Sequence, residues 1–327
     1  MSEGGNGEFA AIERIRRLLP PAPEGETWIG DDAAVVGGTA GERMLLATDA
    51  VVEGVHFDLD LVDAADVGWK ALAVNVSDVA AMGGRPLHAL VSVVGAGADM
   101  LDRLMRGLAD AATAYRCDVV GGDLSSGPCL VVAVAVTGTT DGRRAVLRSK
   151  ALAGDVLYVT GPLGRSAAGL RVLRARAGAL ADQAGPPWER GSTGDSQFAE
   201  LAAAYRRPVA RVAEGLAASA GGATAMIDVS DGLGIDLDHL ATASGVGVVL
   251  DTVPIADGAS REEALAGGED YELVFAAGDP DAVARAFAEA SLRPPIRIGR
   301  CVPERTLRLL GADPLPATGW EHRLKPA

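Results

Sequence analysis

Aromatic residues are scarce in this 327-residue chain, at 4% of the composition. A core with so few rings must close on aliphatic and small side chains, and the 42 glycines fit close backbone packing. Lysine is nearly absent, with only Lys70, Lys150 and Lys325. Any phosphate group must therefore be met mainly by arginine, backbone amides or a metal ion. Basic residues number 30 against 44 acidic ones, for a net charge of −14. That balance argues against nucleic acid as a partner, because the phosphate backbone would be repelled. The three cysteines, Cys117, Cys129 and Cys301, form no CxxC pair, which argues against a structural zinc site or a disulfide framework. The longest apolar run, 129–136, is one strand long and far short of a membrane span. The opening MSEGGNGE reads as a polar, frayed terminus, and a soluble cytoplasmic protein with no membrane partner is expected. A GxxxxGK[ST] loop is also missing, so a P-loop nucleotide site is excluded.

What is present is an alternation of strand and helix signals. Helices are expected at 9–19, 67–82, 101–112, 167–177, 209–218, 233–243 and 281–290. Strands are expected at 44–48, 88–94, 130–136, 154–161, 223–228, 246–250, 271–276 and 296–298. The segment 179–196, with its AGPPWERGSTGDS, reads as a breaker-rich connection. Two α/β domains follow, the first over 1–148 and the second over 149–327.

Carboxylates recur where the chain turns. Asp31 and Asp32 follow Gly30, Asp49 closes a strand, and Asp123 follows Gly121 and Gly122. Asp78 lies three positions after Asn75 on a helix, so those two share a face. Asp228 and Asp231 flank Ser230, and Glu269–Asp270 follow two glycines. Taken singly, each has a plain structural reading. An Asp–Asp pair or a Gly–Gly–Asp is a solvated turn, and Asp231 is a helix cap. Taken together, so many acids repel one another unless protons or cations neutralise them. Hard carboxylate oxygens suit Mg²⁺ with phosphate oxygens and water completing its shell, which points to metal-assisted phosphoryl transfer. Arg148, beside Ser149 and Lys150, is the best single candidate for phosphate contact.

These motifs resemble, in order and over nearly the whole chain, those of bacterial thiamine-monophosphate kinases. The matching segments are GDDAAVV at 30–36, ATDAVVEGVHF at 47–57, KALAVNVSDVAAMGGRP at 70–86 and GGD at 121–123. RSKALAGDVLYVTGPLGRSAAGL at 148–170, IDVSDGLGIDLDHL at 227–240 and GGEDYELVF at 267–275 complete the set. The resemblance implies a two-domain α/β protein, of the α+β type, with the fold of aminoimidazole ribonucleotide synthetase. It also implies a homodimer joined through the N-terminal sheet. The implied reaction is ATP-dependent phosphorylation of thiamine monophosphate to thiamine diphosphate, with several Mg²⁺ ions, by direct in-line transfer and with no covalent nucleophile. The implied metal residues are Asp32, Thr48, Asp49, Asp78, Asp123, Asp228 and Asp231. Gly122, Asp123, Arg148 and Ser230 would meet ATP, with Arg148, Asp49 and Asp231 stabilising charge. His56, Glu269 and Trp320 would meet the substrate. The alternatives are another ATP-dependent enzyme of the same superfamily, or a nucleotide-binding regulator without catalysis. The selenophosphate branch expects an N-terminal Cys, and none precedes Cys117.

Overall fold

The computed structural model describes residues 8–19, 21–38, 43–179 and 196–321. Its first layer is a five-stranded sheet in the order β1-β2-β5-β3-β4. The strands are β1 (Ala34–Gly37), β2 (Arg43–Val52), β3 (Arg85–Val94), β4 (Asp118–Ser125) and β5 (Val131–Thr139). β3 and β4 are parallel and joined by the helix α3 (Ala98–Tyr115), whereas the other pairs are antiparallel. The sheet is therefore mixed, as an α+β reading requires.

α2 (Ala64–Ala81) is the buried helix of this domain. Asp63 caps it by accepting from the Ala65 amide at 2.8 Å. Most of its length is buried, including Lys70, Asn75 and Ser77, so it is more than an amphipathic cover for the sheet. Against α3 it packs with almost no separation. A Cβ at Gly68 would lie 2.0 Å from the Leu104 carbonyl, and one at Gly107 would lie 1.7 Å from the Ala65 carbonyl. Glycine is required at both positions for steric reasons. α1 (Glu8–Leu18) ends before the proline-rich segment, as the sequence predicts.

The second sheet has seven strands in the order β12-β11-β8-β10-β6-β9-β7. β10 (Ile296–Val302), β6 (Val156–Val159) and β9 (Leu273–Ala277) lie inside it, and β7 (Ala223–Asp228) forms one edge. β8 (Gly247–Leu250), β11 (Arg308–Leu310) and β12 (Asp313–Pro314) extend the other. α6 (Val212–Ala220), α7 (Leu233–Ser244), α8 (Arg261–Ala266) and α9 (Pro280–Glu289) accompany it, whereas α4 (Arg165–Ala179) and α5 (Ser196–Arg206) add Leu173, Ala202 and Tyr205 to the core of the first domain. β9 is buried at every position, and an all-apolar run is what a strand covered on both faces requires. α2 touches both halves: a Cβ at Gly215 of α6 would lie 2.2 Å from its Ala80 carbonyl. α2 therefore ties the second sheet's helices to the first sheet.

Two local expectations are corrected. Residues 121–123 are not a turn but part of β4, paired with 90–92 of β3. A Cβ at Gly122 would lie 1.8 Å from the Val91 carbonyl, so that glycine serves strand packing. α5 was not expected from the sequence, since it begins within the breaker-rich connection; residues 180–195 of that connection lie outside the described residues. No described helix is long and apolar enough to cross a membrane.

Candidate active site

The two sheets present their acid-bearing ends to a shared cleft. Asp49 does not close its strand but lies within β2, which runs on to Val52, and its amide donates to Asn75 Oδ1 of α2 at 2.8 Å. Asn75 also donates to the Ala71 carbonyl at 2.9 Å, so the helix and strand are pinned at that point. Asp78 is one turn further along α2. Burial raises its pKa well above the ordinary value, and Asp49, Asp228 and Asp32 raise it further. Asp228 ends β7 and is buried. Its pKa is pushed up to about 8 by burial, then by Asp32, although Ser77 of α2 donates to its Oδ2 at 2.5 Å.

Asp31 and Asp32 are far from a solvated turn: their side chains are 3% and 6% exposed. Burial, then Asp32, pushes Asp31 up to about 7. Burial raises Asp32 too, against the attraction of Arg148. Arg148 pairs through Nη2 with Asp32 Oδ1 and lies 3.7 Å from Asp31, while its amide donates to both Asp31 oxygens. The family pattern names Asp32 alone; the structural work of Asp31 was missed, and only its adjacency to Asp32 signals it. Asp32 Oδ2 is buried and has no hydrogen-bond partner among the described residues.

The loop after β7 is held from three sides. The Glu269 amide donates to the Ser230 carbonyl at 2.7 Å, that of Tyr271 to Val229 at 2.9 Å and that of Trp320 to Asp231 at 2.9 Å. Asp231 is not the cap of α7. That position is Gly232, and the carboxylate of Asp236 reaches back to the amides of Asp231 and Gly232 at 3.1 and 3.0 Å. Asp231 lines the cleft. Glu269 has φ +66°, a left-handed conformation that is unusual for its residue type. Its carboxylate pairs with Lys70 Nζ at 2.9 Å, and Lys70 is 1% exposed. That ammonium also lies 4.0 Å from the Tyr205 ring centroid. Lys70 opens the 70–86 motif with no role read for it there, and Tyr205 lies in none of the matching segments.

A cavity of about 660 Å³ opens between the domains. Asp49, His56, Ser230, Asp231, Glu269 and Trp320 all line it, with Tyr205 and Tyr271. His56 accepts the Val52 amide through Nδ1 at 3.0 Å, which fixes its ring. Thr48, one residue before Asp49, lies on the other face of β2 and donates to the Val134 carbonyl at 2.9 Å. Gly122 and Asp123 stand apart. β4 is three strands from β2, about 14 Å at ordinary spacing. Asp123 is exposed there and accepts from Ser125 at 3.1 Å. Among the described residues, no three His, Cys, Asp or Glu side chains are arranged to hold an ion by themselves.

A mixed five-stranded sheet followed by a second α/β layer, with acids at their junction, defines a class. Residues 30–140 match the AIR synthase related protein N-terminal domain, and 153–311 match its C-terminal domain. The hydrogenase maturation protein HypE of Escherichia coli shares the fold, at 20% identity and a TM-score of 0.60 over 87% of this chain and 86% of that one. Much nearer is the thiamine-monophosphate kinase of Mycobacterium tuberculosis, 40% identical over 297 residues, which cover 82% of this chain and 80% of that protein. The Bacillus subtilis enzyme is 36% identical, over 81% of this chain and 82% of its own length. Among solved structures, AaThiL complexed with AMPPCP and TMP superposes with a TM-score of 0.80 at 32% identity, covering 98% of this chain and 99% of that one. This chain belongs to the thiamine-monophosphate kinase family.

Proposed function

We propose that this protein transfers the γ-phosphoryl group of ATP to thiamine monophosphate, giving thiamine diphosphate and ADP. The observation that carries the reading is the interdomain cavity, where metal-type acids and substrate-type residues meet. The family relationship supports it, as does the relative complexed with AMPPCP and TMP.

The acceptor is already a nucleophile, since a phosphate monoester is largely ionised near neutral pH. The site needs no general base and no covalent relay. Its task is to bring two polyanions together in line. Asp32, Asp49, Asp78, Asp228 and Asp231 offer only hard oxygen donors, and the unpartnered Asp32 Oδ2 fits a cation. Thr48 borders this set beside Asp49. When bound, Mg²⁺ would neutralise phosphate charge that grows in the transition state. Arg148 already leans on Asp31 and Asp32, and would turn its remaining donors to ATP phosphates. Ser230 would meet the nucleotide. His56, Glu269 and Trp320 would hold thiamine monophosphate, with Trp320 stacking on a ring and Glu269 at its pyrimidine side.

Gly122 and Asp123 join this reading through a homodimer. β4 is an edge strand with Val120 and Leu124 59% and 64% exposed, and Leu90 on β3 is 52% exposed. Such an edge is stabilised by pairing with a second copy, closing the two N-terminal sheets into a shared barrel. β4 of the second copy would then bring Gly122 and Asp123 to the nucleotide. The domains would divide near 148/149, with the N-terminal part supplying the dimer face and most acids.

Chromatography tests the reaction: purified protein with ATP, Mg²⁺ and thiamine monophosphate should yield thiamine diphosphate. ATP binding with no thiamine diphosphate formed would favour the regulator reading instead.

A further inference from the structure

A second cavity, of about 670 Å³, shares no lining residue with the first. It lies where β2 begins and where the chain leaves β5. Arg43 is six residues before Asp49, about 20 Å along the strand. Four cations line it: Arg43, Arg143, Arg144 and Lys150. In a chain of net charge −14 this is a concentration against the average. Among the described residues none of the four makes an ion pair.

The nearby acids are held by other groups, and Glu26 offsets only part of the Arg43 charge. Glu26 is the one carboxylate in the lining. Its Oε1 accepts from the Gly37 amide at 2.8 Å and its Oε2 from Trp28 Nε1 at 2.7 Å. Asp141, in the turn that carries Arg143 and Arg144, is held by Arg85 Nε and Nη2 at 2.8–3.1 Å. The turn itself is fixed. Asp141 and Gly142 both have positive φ, Thr140 donates its hydroxyl to the Arg143 carbonyl at 2.6 Å, and the Val146 amide donates to Met82 at 3.0 Å. Gly25 leaves room for Arg43, whose Nη2 would lie 2.9 Å from a Cβ at that position. Guanidinium groups presented this way suit the oxygens of a diphosphate, which they bind in two-pronged fashion. Apolar wall from Val35, Ala145 and Leu147 suits an attached organic group.

We propose that this basic cavity is a second ligand site, for a small organic diphosphate. The proposal is independent of the kinase reading. The segment that lines it runs on through Leu147 to Arg148, so an occupant would bear on the residue that meets Asp31 and Asp32.

The test is isothermal titration of the full-length protein with UDP, with divalent metal chelated and neither ATP nor thiamine monophosphate present. UDP should bind saturably and more tightly than sulfate. Arg143→Ala/Arg144→Ala, and separately Lys150→Ala, should weaken it by about tenfold or more while leaving the thermal midpoint in place. Asp49→Asn/Asp231→Asn should bind UDP as the wild type does. Absence of saturable binding, sulfate binding as tightly as UDP, or unchanged affinity in the Arg143/Arg144 and Lys150 variants would overturn the proposal. Tighter binding in Asp49→Asn/Asp231→Asn would overturn it too, by assigning the anion to the interdomain cleft, where without metal the two carboxylates repel it.

Discussion

At the residue scale, the account turns on how each acid is held. Asp49 and Asp231 line the cavity; Asp49 lies within β2 rather than at its end, and Asp231 is not the helix cap that its local sequence suggests. Asp49→Asn and Asp231→Asn should each lower kcat by about 100-fold or more, the range found when charge-stabilising groups are removed. Circular dichroism and the thermal midpoint should stay near wild type. Normal turnover in either variant at saturating Mg²⁺ would remove that residue from the site. Lys70 has a different role. It neutralises Glu269 from beneath, where both side chains are largely withdrawn from water. Lys70→Met should raise KM for thiamine monophosphate about tenfold and cost about 2 kcal/mol of stability, read by steady-state kinetics and urea unfolding. An unchanged KM would show that Glu269 is not oriented by this pair.

The residue scale is also where the sequence was least explicit. Asp31–Asp32 by composition alone reads as a solvated turn, and burial of both depends on Arg148, more than a hundred positions away. Local pattern carries no trace of such a pairing. Asp236 takes over the cap that Asp231 seemed placed to make, because a side chain four or five residues on can reach the same amides. Lys70 looks like any helical lysine until Glu269 arrives from the other domain.

At the scale of elements, α2 was legible because its apolar length and flanking glycines leave little choice. Its intimacy with α3 was not, since Gly68 and Gly107 look like weak helix formers rather than contact points. The structure makes them the places where backbone touches backbone. Gly107→Ala should cost about 3 kcal/mol, as overpacking does when the opposing atom is a carbonyl that cannot move aside. Urea denaturation reads this directly; a loss below that of an ordinary surface substitution would contradict the packing described. β4 was misread as a turn because Gly–Gly–Asp is turn-like locally. What overrides that tendency is pairing with β3 along its whole length.

For the whole molecule, the acid cluster ties stability to pH. Asp31 and Asp228 rise from the ordinary 3.8 to about 7 and about 8 on folding. Between the ordinary value and those, the folded protein holds more protons than the unfolded chain, so stability falls as pH rises. His239 acts oppositely: burial lowers it from 6.5 to about 4, so its contribution is lost as pH falls through that interval. Above pH 6.5 only the carboxylate effect remains. With metal chelated, the thermal midpoint should fall from pH 6.5 to 8, and Mg²⁺ should flatten that fall. A midpoint that rises over the same interval would contradict the assignment. The proposed homodimer carries a second prediction at this scale. Val120→Lys/Leu124→Lys should elute as a monomer in size exclusion and lose most of its activity, whereas an active monomer would show that β4 of a second copy is not needed.

The central claim is direct transfer from ATP to thiamine monophosphate at the interdomain cleft. Single-turnover reaction with ATP labelled in its γ-phosphate tests it most directly. The label should pass to the terminal phosphate of thiamine diphosphate, with an equal amount of ADP formed and none of the label retained on the protein. Label trapped on a side chain, or released as inorganic phosphate without thiamine monophosphate, would contradict it.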